Sequence, residues 1–163
     1  MKKWIFVLLA MMLVSSCDME TSDNGDFDGY WQLASVDTLA TGGHTDMRDS
    51  LIFWSVQKRV LETRDNRGVR PNVMFRFERT ASSLVLSDPI IDNREVSDIP
   101  VTDYSILEPY GIFDIPETFK VLSLSSGAMQ LENKQLRFSF RKYSICLYCL
   151  CHIVSIFADL LTC

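Results

Sequence analysis

Hydrophobic and polar residues alternate along the middle of the chain, from Gly29 onward. In the stretch 73–78 every second side chain, at positions 73, 75 and 77, is Val or Phe. The stretch 136–141 places Arg137 and Arg141 on the face opposite Phe138 and Phe140. A period of two is the pattern of a half-buried β-strand. The same pattern, bounded by turn residues, predicts further strands at 30–38, 51–57, 59–63, 83–87, 119–125 and 128–133. Seven or eight short strands predict an all-β fold, an antiparallel up-and-down meander.

One segment departs from the alternation, the excursion 88–118. It holds four of the five prolines: Pro89, Pro100, Pro109 and Pro116. Proline cannot donate to a strand ladder or continue a helix, so this density excludes a central strand and any long helix. We predict a long irregular excursion with one short strand near 104–107. It is either a mobile element beside a ligand or a plug that covers one open end and binds nothing.

The first seventeen residues have the pattern of an export signal. Lys2 and Lys3 precede an unbroken apolar run over 4–14, which is too short to span a bilayer comfortably. The next residues, Val14-Ser15-Ser16-Cys17, resemble the lipobox of bacterial lipoproteins. That resemblance implies cleavage before Cys17, a lipid on its thiol and acyl chains such as palmitate. Residues 1–16 are then the signal peptide, and the polar stretch 17–28 is a flexible tether.

This anchor predicts a place in the cell envelope, on a bacterial membrane. The outer membrane is favoured, and the sequence leaves open whether the domain faces the periplasm or the cell surface. Acidic residues such as Asp18 and Glu20 follow Cys17, but such residues direct sorting in opposite senses in different bacterial groups.

A second resemblance begins at the first strand. Gly29-Tyr30-Trp31 resembles the G-x-W motif of lipocalins, and the stretches 107–112 and 119–143 are similar to those of small lipocalin-like lipoproteins of Gram-negative anaerobes. The resemblance covers residues 29–143 and implies an eight-stranded barrel closed at one end by Trp31. It also implies that a basic residue of the last strand, Arg137 or Arg141, packs across the tryptophan ring.

The large side chains of the predicted strands have two interpretations. An eight-stranded barrel either fills its interior with side chains or holds one small ligand there. Aromatic residues at period two are ordinarily core, so packing is the simpler alternative. The residues that would line a ligand pocket are Phe53, Trp54, Phe75, Phe77, Tyr110, Phe138 and Phe140.

The distribution of charge and the motifs present limit the partners and reactions that we expect. The stretch 18–143 carries 14 basic and 20 acidic residues with its arginines scattered, so nucleic acid is not expected as a partner. His44 has no accompanying nucleophile motif, and no set of metal ligands stands out before the tail. We expect a monomer with no enzymatic activity, no cofactor and no metal.

The last twenty residues, 144–163, differ from the rest. They hold four of the five cysteines, and most of the others are apolar. We favour an altered or read-through C-terminus after the last strand. The alternatives are a membrane-interacting helix or hairpin and a disulfide-linked structure.

Two functions follow from the sequence. The first is a lipid-anchored lipocalin-like protein that binds a small apolar or amphipathic molecule in its mouth or interior. The second is an interaction module with a filled core, which docks an envelope protein or a surface glycan through its outer face or the 88–118 excursion. A solid interior would argue against the first, and an enclosed apolar cavity would argue against the second.

Overall fold

Ten antiparallel strands form one sheet in the computed structural model, which describes residues 24–91 and 97–143. Cys17 and the tail 144–163 lie outside the described residues. The strands are β1 (Gly29–Thr38), β2 (Gly43–Asp46), β3 (Ile52–Gln57), β4 (Val60–Asp65), β5 (Val73–Arg79), β6 (Ser83–Ile91), β7 (Ile99–Pro100), β8 (Glu117–Leu124), β9 (Ala128–Glu132) and β10 (Leu136–Lys142).

The sheet closes on itself because β1 pairs with both β3 and β10. Gln32 lies opposite Phe53 of β3 and opposite Arg141 of β10. Eight strands therefore form a closed antiparallel barrel, and β2 and β7 are short additions beside β1 and β6. The predicted fold, a meander closing into an eight-stranded barrel, is confirmed.

Alternation dictates which side chains the barrel encloses. Along β3 and β10, Trp54, Phe138 and Phe140 point inward and are almost fully buried. The inward residues of the other strands join them in one hydrophobic cluster. Among the described residues, no helix is long and apolar enough to cross a membrane.

The chain enters the barrel through a short 3-10 turn, Gly25–Phe27. Phe27 is 1% exposed and packs edge-on against Phe77 at a centroid distance of 5.3 Å. The predicted tether 17–28 is therefore too long at its C-terminal side, since residues 25–28 belong to the domain. The signal for this in the sequence was Phe27, an apolar residue two positions before the first strand.

The excursion contains a 3-10 helix, Tyr104–Tyr110, where the sequence predicted a strand over 104–107. That prediction is wrong because Asp103 caps the helix: its Oδ1 accepts a hydrogen bond from the Ser105 amide at 3.0 Å. Gly111 ends the helix with a φ of 75°. The excursion also starts later than predicted, because β6 continues through Pro89 to Ile91.

Candidate functional site

One end of the barrel, here called the closed end, is sealed by Trp31. Its indole Nε1 donates to the Phe27 carbonyl oxygen at 2.8 Å, and its ring is fully buried. The Lys142 ammonium lies 4.9 Å from the ring centroid and donates to the Asp26 carbonyl oxygen at 2.9 Å. This is a cation–π contact supported by a hydrogen bond.

The basic residue across Trp31 is therefore Lys142, whereas the lipocalin resemblance implied Arg137 or Arg141. Lys142 is the direct cross-strand partner of Trp31. Both arginines lie on the outer face: Arg137 forms an ion pair with Glu132 at 2.8 Å, and Arg141 Nε donates to Gln32 Oε1 at 2.7 Å. The alternation itself identifies Lys142, because it shares the parity of Phe138 and Phe140.

The interior of the barrel is occupied by aromatic rings. Trp54 lies 4.8 Å from Phe140 and 5.6 Å from Phe119 between centroids, and Phe119 lies 5.7 Å from Phe138. Phe75, on β5, is 1% exposed. Four predicted pocket residues, Trp54, Phe75, Phe138 and Phe140, thus pack as core, and Phe77 packs against Phe27 at the closed end.

One polar atom inside this core stands apart. Trp54 Nε1 is buried and has no hydrogen-bond partner among the described residues. Its surroundings are the rings of Phe119, Phe138 and Phe140.

The opposite end, here called the mouth, is covered by the plug, defined as the 3-10 helix Tyr104–Tyr110 with Gly111 and Ile112. Leu107, Tyr110 and Ile112 of the plug are buried in the core. The Tyr110 hydroxyl donates to the Pro71 carbonyl oxygen at 2.8 Å. Burial, with the nearby Asp65 carboxylate, raises the pKa of Tyr110 to about 12. The sequence placed Tyr110 among the pocket residues, and it reaches the interior as part of this cover.

Two buried polar side chains attach the plug to the barrel. Asn133 Nδ2 donates to the Gly111 carbonyl oxygen at 2.9 Å, and its Oδ1 accepts from the amides of Gln135 and Leu136. Glu117 Oε2 accepts from the Phe113 and Asp114 amides at 2.9 and 3.2 Å. The plug is therefore held by satisfied buried hydrogen bonds, which favours the covering role over the mobile one.

A small apolar cleft remains at the mouth, between β2 and the plug. Its volume is about 180 Å³, below the range of about 300–1,000 Å³ usual for small-molecule pockets. Its lining residues are Leu33, Val36, Thr45, Met47, Glu108, Pro109, Tyr110, Gly111, Leu136 and Phe138.

A larger concavity, here called the outer groove, lies on the outside of the barrel where β10, β1 and β3 meet. Its volume is about 580 Å³. Phe53 lies here, outside the core cluster, because its neighbour Trp54 takes the inward position. The Tyr30 and Phe53 rings stack at 4.6 Å, and Tyr143 meets Phe53 edge-on at 5.8 Å. Polar residues complete the lining: Gln32, Asp46, Arg48, Asp49, Asn66 and Arg141, with Leu51.

Gln32 organises the polar side of the outer groove. It is only 3% exposed although it points outward, since the 3-10 turn Arg48–Ser50 covers it. Its Nε2 donates to the Arg48 carbonyl oxygen at 2.9 Å, and its Oε1 accepts from Arg141 Nε. Arg141 makes this contact through Nε, so its two terminal nitrogens do not take part in it. Gln32 therefore fixes Arg141 in a direction that leaves part of its guanidinium available.

Arg48 is engaged differently. It forms an ion pair with Asp46 at 2.5 Å, and the hydrogen bonds from Arg48 hold the pKa of the Asp46 carboxyl well below its usual range. The same hydrogen bonds with Asp46 raise the pKa of Arg48 above its usual value. Both groups stay charged and neutralise each other at the edge of the outer groove.

Among the described residues, the one histidine lies outside both the outer groove and the mouth cleft. His44 lies on the exposed strand β2 and pairs with Asp37 at 2.5 Å. Over the described ranges 24–91 and 97–143, no three His, Cys, Asp or Glu side chains come close enough together to hold a metal ion.

Comparisons with known proteins agree with this architecture. A family model described as a lipocalin-like domain matches residues 11–143. A lipocalin-like protein from Bacteroides uniformis is 23% identical with a TM-score of 0.55, covering 73% of this chain and 100% of its own. An uncharacterized protein from Bacteroides eggerthii is 22% identical with a TM-score of 0.53, covering 71% of this chain and 98% of its own. These likenesses show the fold, and no curated protein matches the chain.

Proposed function

Because the chain belongs to the lipocalin-like domain family, we propose that its barrel is part of a lipid-anchored envelope protein. Since side chains fill the interior of the barrel, the protein binds its ligand, a glycan, on the outer face. The resemblance noted at Gly29 and Trp31 is confirmed by the family match. Family membership accounts for the barrel fold alone, so the position of the ligand is inferred from the side chains of this chain.

The observation that carries the proposal is the outer groove itself. It offers the face or edge of three aromatic rings beside two arginines, two amides and two carboxylates. Sugars have apolar faces that stack on such rings and hydroxyls that exchange hydrogen bonds with amide, carboxylate and guanidinium groups. A volume of about 580 Å³ is within the usual range for a small ligand.

The packed interior argues against the other function, binding of a small apolar molecule inside the barrel. The rings predicted to line that pocket contact one another. The mouth cleft has an apolar lining that would favour an apolar ligand, but its volume of about 180 Å³ suits only a short chain or a single ring.

Binding of the purified, lipidated protein to a panel of oligosaccharides tests the proposal. Tyr143→Ala removes the most exposed ring of the outer groove and should weaken binding about tenfold, the equivalent of roughly 1.4 kcal/mol. Tyr104→Ala is the matched control, since Tyr104 is a comparably exposed tyrosine outside the outer groove.

Three other outcomes would contradict the proposal. Equal losses in both tyrosine variants would mean that the outer groove is not the site. A protein or an apolar molecule that accompanies the native chain in mass spectrometry, with no glycan bound, would favour the corresponding alternative. A Cys17→Ala chain that stays as firmly in the membrane fraction would place the anchor elsewhere.

A further inference from the structure

The outer groove contains a cation, Arg141, whose partner is a neutral amide. Arg141 is exposed, and its Nε donates to Gln32 Oε1 at 2.7 Å. This contact orients the guanidinium without cancelling its charge, because the side chain of Gln32 carries none. Gln32 is itself 3% exposed and is fixed by its hydrogen bond to the Arg48 carbonyl oxygen. The direction of Arg141 is therefore set by a buried side chain.

The other charges of the outer groove leave a small positive excess. Arg48 and Asp46 form an ion pair and cancel each other. Asp49 also lines the groove, and the Arg67 guanidinium donates to its carbonyl oxygen, which brings another cation beside this residue. With Arg141, the groove and its rim have three cations against two carboxylates.

This excess is local, since the domain as a whole is acidic. In the stretch 18–143, acidic residues outnumber basic ones by 20 to 14. The carboxylates of the neighbouring strand β4 do not offset the excess, because each is paired with an arginine: Glu62 with Arg64 at 2.9 Å and Asp65 with Arg70 at 3.0 Å. The charge of the domain thus repels an anion in general, whereas the outer groove attracts one.

An aromatic ring lies close to this cation along the chain. Arg141 and Tyr143 both line the outer groove and are two residues apart, which corresponds to about 7 Å of extended chain. Tyr143 is 51% exposed, so part of its ring is open to a ligand. A sugar that stacks on Tyr143 would present its substituents to the Arg141 guanidinium.

We propose that the glycan of the outer groove is acidic and that Arg141 binds its carboxylate. The inference rests on the proposed function and adds the chemical class of the glycan. Because Nε of Arg141 is engaged by Gln32, the two terminal nitrogens form the edge that faces a ligand. This edge is a planar pair of donors, and it matches the two oxygens of a carboxylate.

Titration of the full-length lipidated protein with matched pairs of oligosaccharides tests the assignment. The acidic members carry galacturonic, glucuronic or sialic acid, and each is compared with its methyl ester, which masks the carboxylate and keeps the sugar. We expect at least one acid to bind about tenfold more tightly than its ester, as expected for a charge-assisted hydrogen-bonded pair. About 1 M NaCl should remove most of this preference, because both charges are exposed to solvent.

Two arginines of β10 provide the test variant and its matched control. Arg141→Gln removes the charge inside the outer groove and should reduce the preference for the acid to less than about twofold, while the ester binds as before. Arg137→Gln removes the same charge from the same face of β10, where Arg137 pairs with Glu132 outside the outer groove. This control should keep the preference of about tenfold.

Three outcomes would overturn the carboxylate assignment and leave the glycan proposal standing. The first is that no acid binds more tightly than its ester, although the esters bind. The second is an equal loss of preference in both arginine variants, which would indicate long-range attraction in place of contact at Arg141. The third is a sulfated oligosaccharide that binds more tightly than every carboxylated one. A chain that binds neither acids nor esters would overturn the proposed function and this inference together.

Discussion

At the scale of single residues, Lys142 can lie across Trp31 because Gly29 has no side chain. A Cβ added to Gly29 would meet Lys142 Cε at 2.6 Å, and the Gly29 φ of 126° is strained for any other residue. Gly29→Ala should displace the lysine and lower the free energy of unfolding by roughly 1–3 kcal/mol, measured by urea denaturation.

Gly127→Ala is the control for this substitution. Gly127 has no neighbouring atom within 4 Å of an added Cβ and no positive φ. Its variant should remain within about 0.5 kcal/mol of the parent chain. Equal effects at both glycines would mean that the Lys142 contact does not depend on Gly29.

Tyr110 gives the domain a dependence on alkaline pH. Its pKa is raised from 10.0 to about 12, because the folded state favours the neutral phenol. The raised value stabilises the fold fully below pH 10, and this stabilisation is lost as the pH rises from 10 to about 12. At about 1.4 kcal/mol per pKa unit, the loss approaches roughly 2–3 kcal/mol. Tyr110→Phe should make the free energy of unfolding, measured in urea, nearly independent of pH over this window. Tyr104→Phe, at an exposed tyrosine, should leave the pH dependence unchanged.

How far the sequence predicts a site also depends on single residues. The tryptophan that seals the closed end follows from Gly29-Tyr30-Trp31, but its cationic partner does not follow from residue type. Lys142 is favoured over Arg141 only because β10 alternates strictly, so the parity of each residue sets its face. Gln32 could not be singled out, because its burial comes from a turn sixteen residues later in the chain.

At the scale of elements, alternation located the barrel strands well and the excursion poorly. β2 was missed because all four of its residues, from Gly43 to Asp46, are exposed and carry no hydrophobic signal. The strand predicted near 104–107 is a helix because a local cap at Asp103 and a left-handed Gly111 set its ends. In both cases short-range hydrogen bonding, which hydropathy does not describe, determined the structure.

The attachment of the plug can be tested at Asn133. Asn133→Ala removes the acceptor of two backbone amides and the donor to Gly111, and the site is 6% exposed. We expect a loss of roughly 2–4 kcal/mol in the free energy of unfolding, with faster hydrogen exchange over 104–112. Asn66→Ala, which loses one side-chain contact to Tyr30 in an exposed turn, should cost less than about 1 kcal/mol. Exchange that accelerates equally in all strands would indicate global destabilisation instead of plug release.

At the scale of the whole molecule, the sequence left open whether the barrel is hollow or filled. The same inward aromatic residues serve either purpose, and the difference lies in how the rings of β3, β8 and β10 meet. That geometry depends on register and on the plug, which brings Leu107 and Tyr110 from far along the chain. The composition therefore shows that enough residues are present to form a core, but not whether their packing leaves a cavity.

The filled interior makes a final prediction, because a packed core binds an apolar guest only after a cavity is made. Phe138 is 1% exposed and contacts Trp54, Phe119 and Phe140. Phe138→Ala should cost roughly 3–5 kcal/mol and leave a dry apolar cavity. Saturating benzene should then raise the melting temperature of this variant, while the parent chain should respond little. Phe53→Ala removes a phenylalanine ring at the outer groove, where the space that it leaves opens to water. Benzene should therefore not raise the melting temperature of this variant. A parent chain stabilised as strongly as Phe138→Ala would mean that the barrel already holds an accessible cavity, and would return the small apolar ligand to first place.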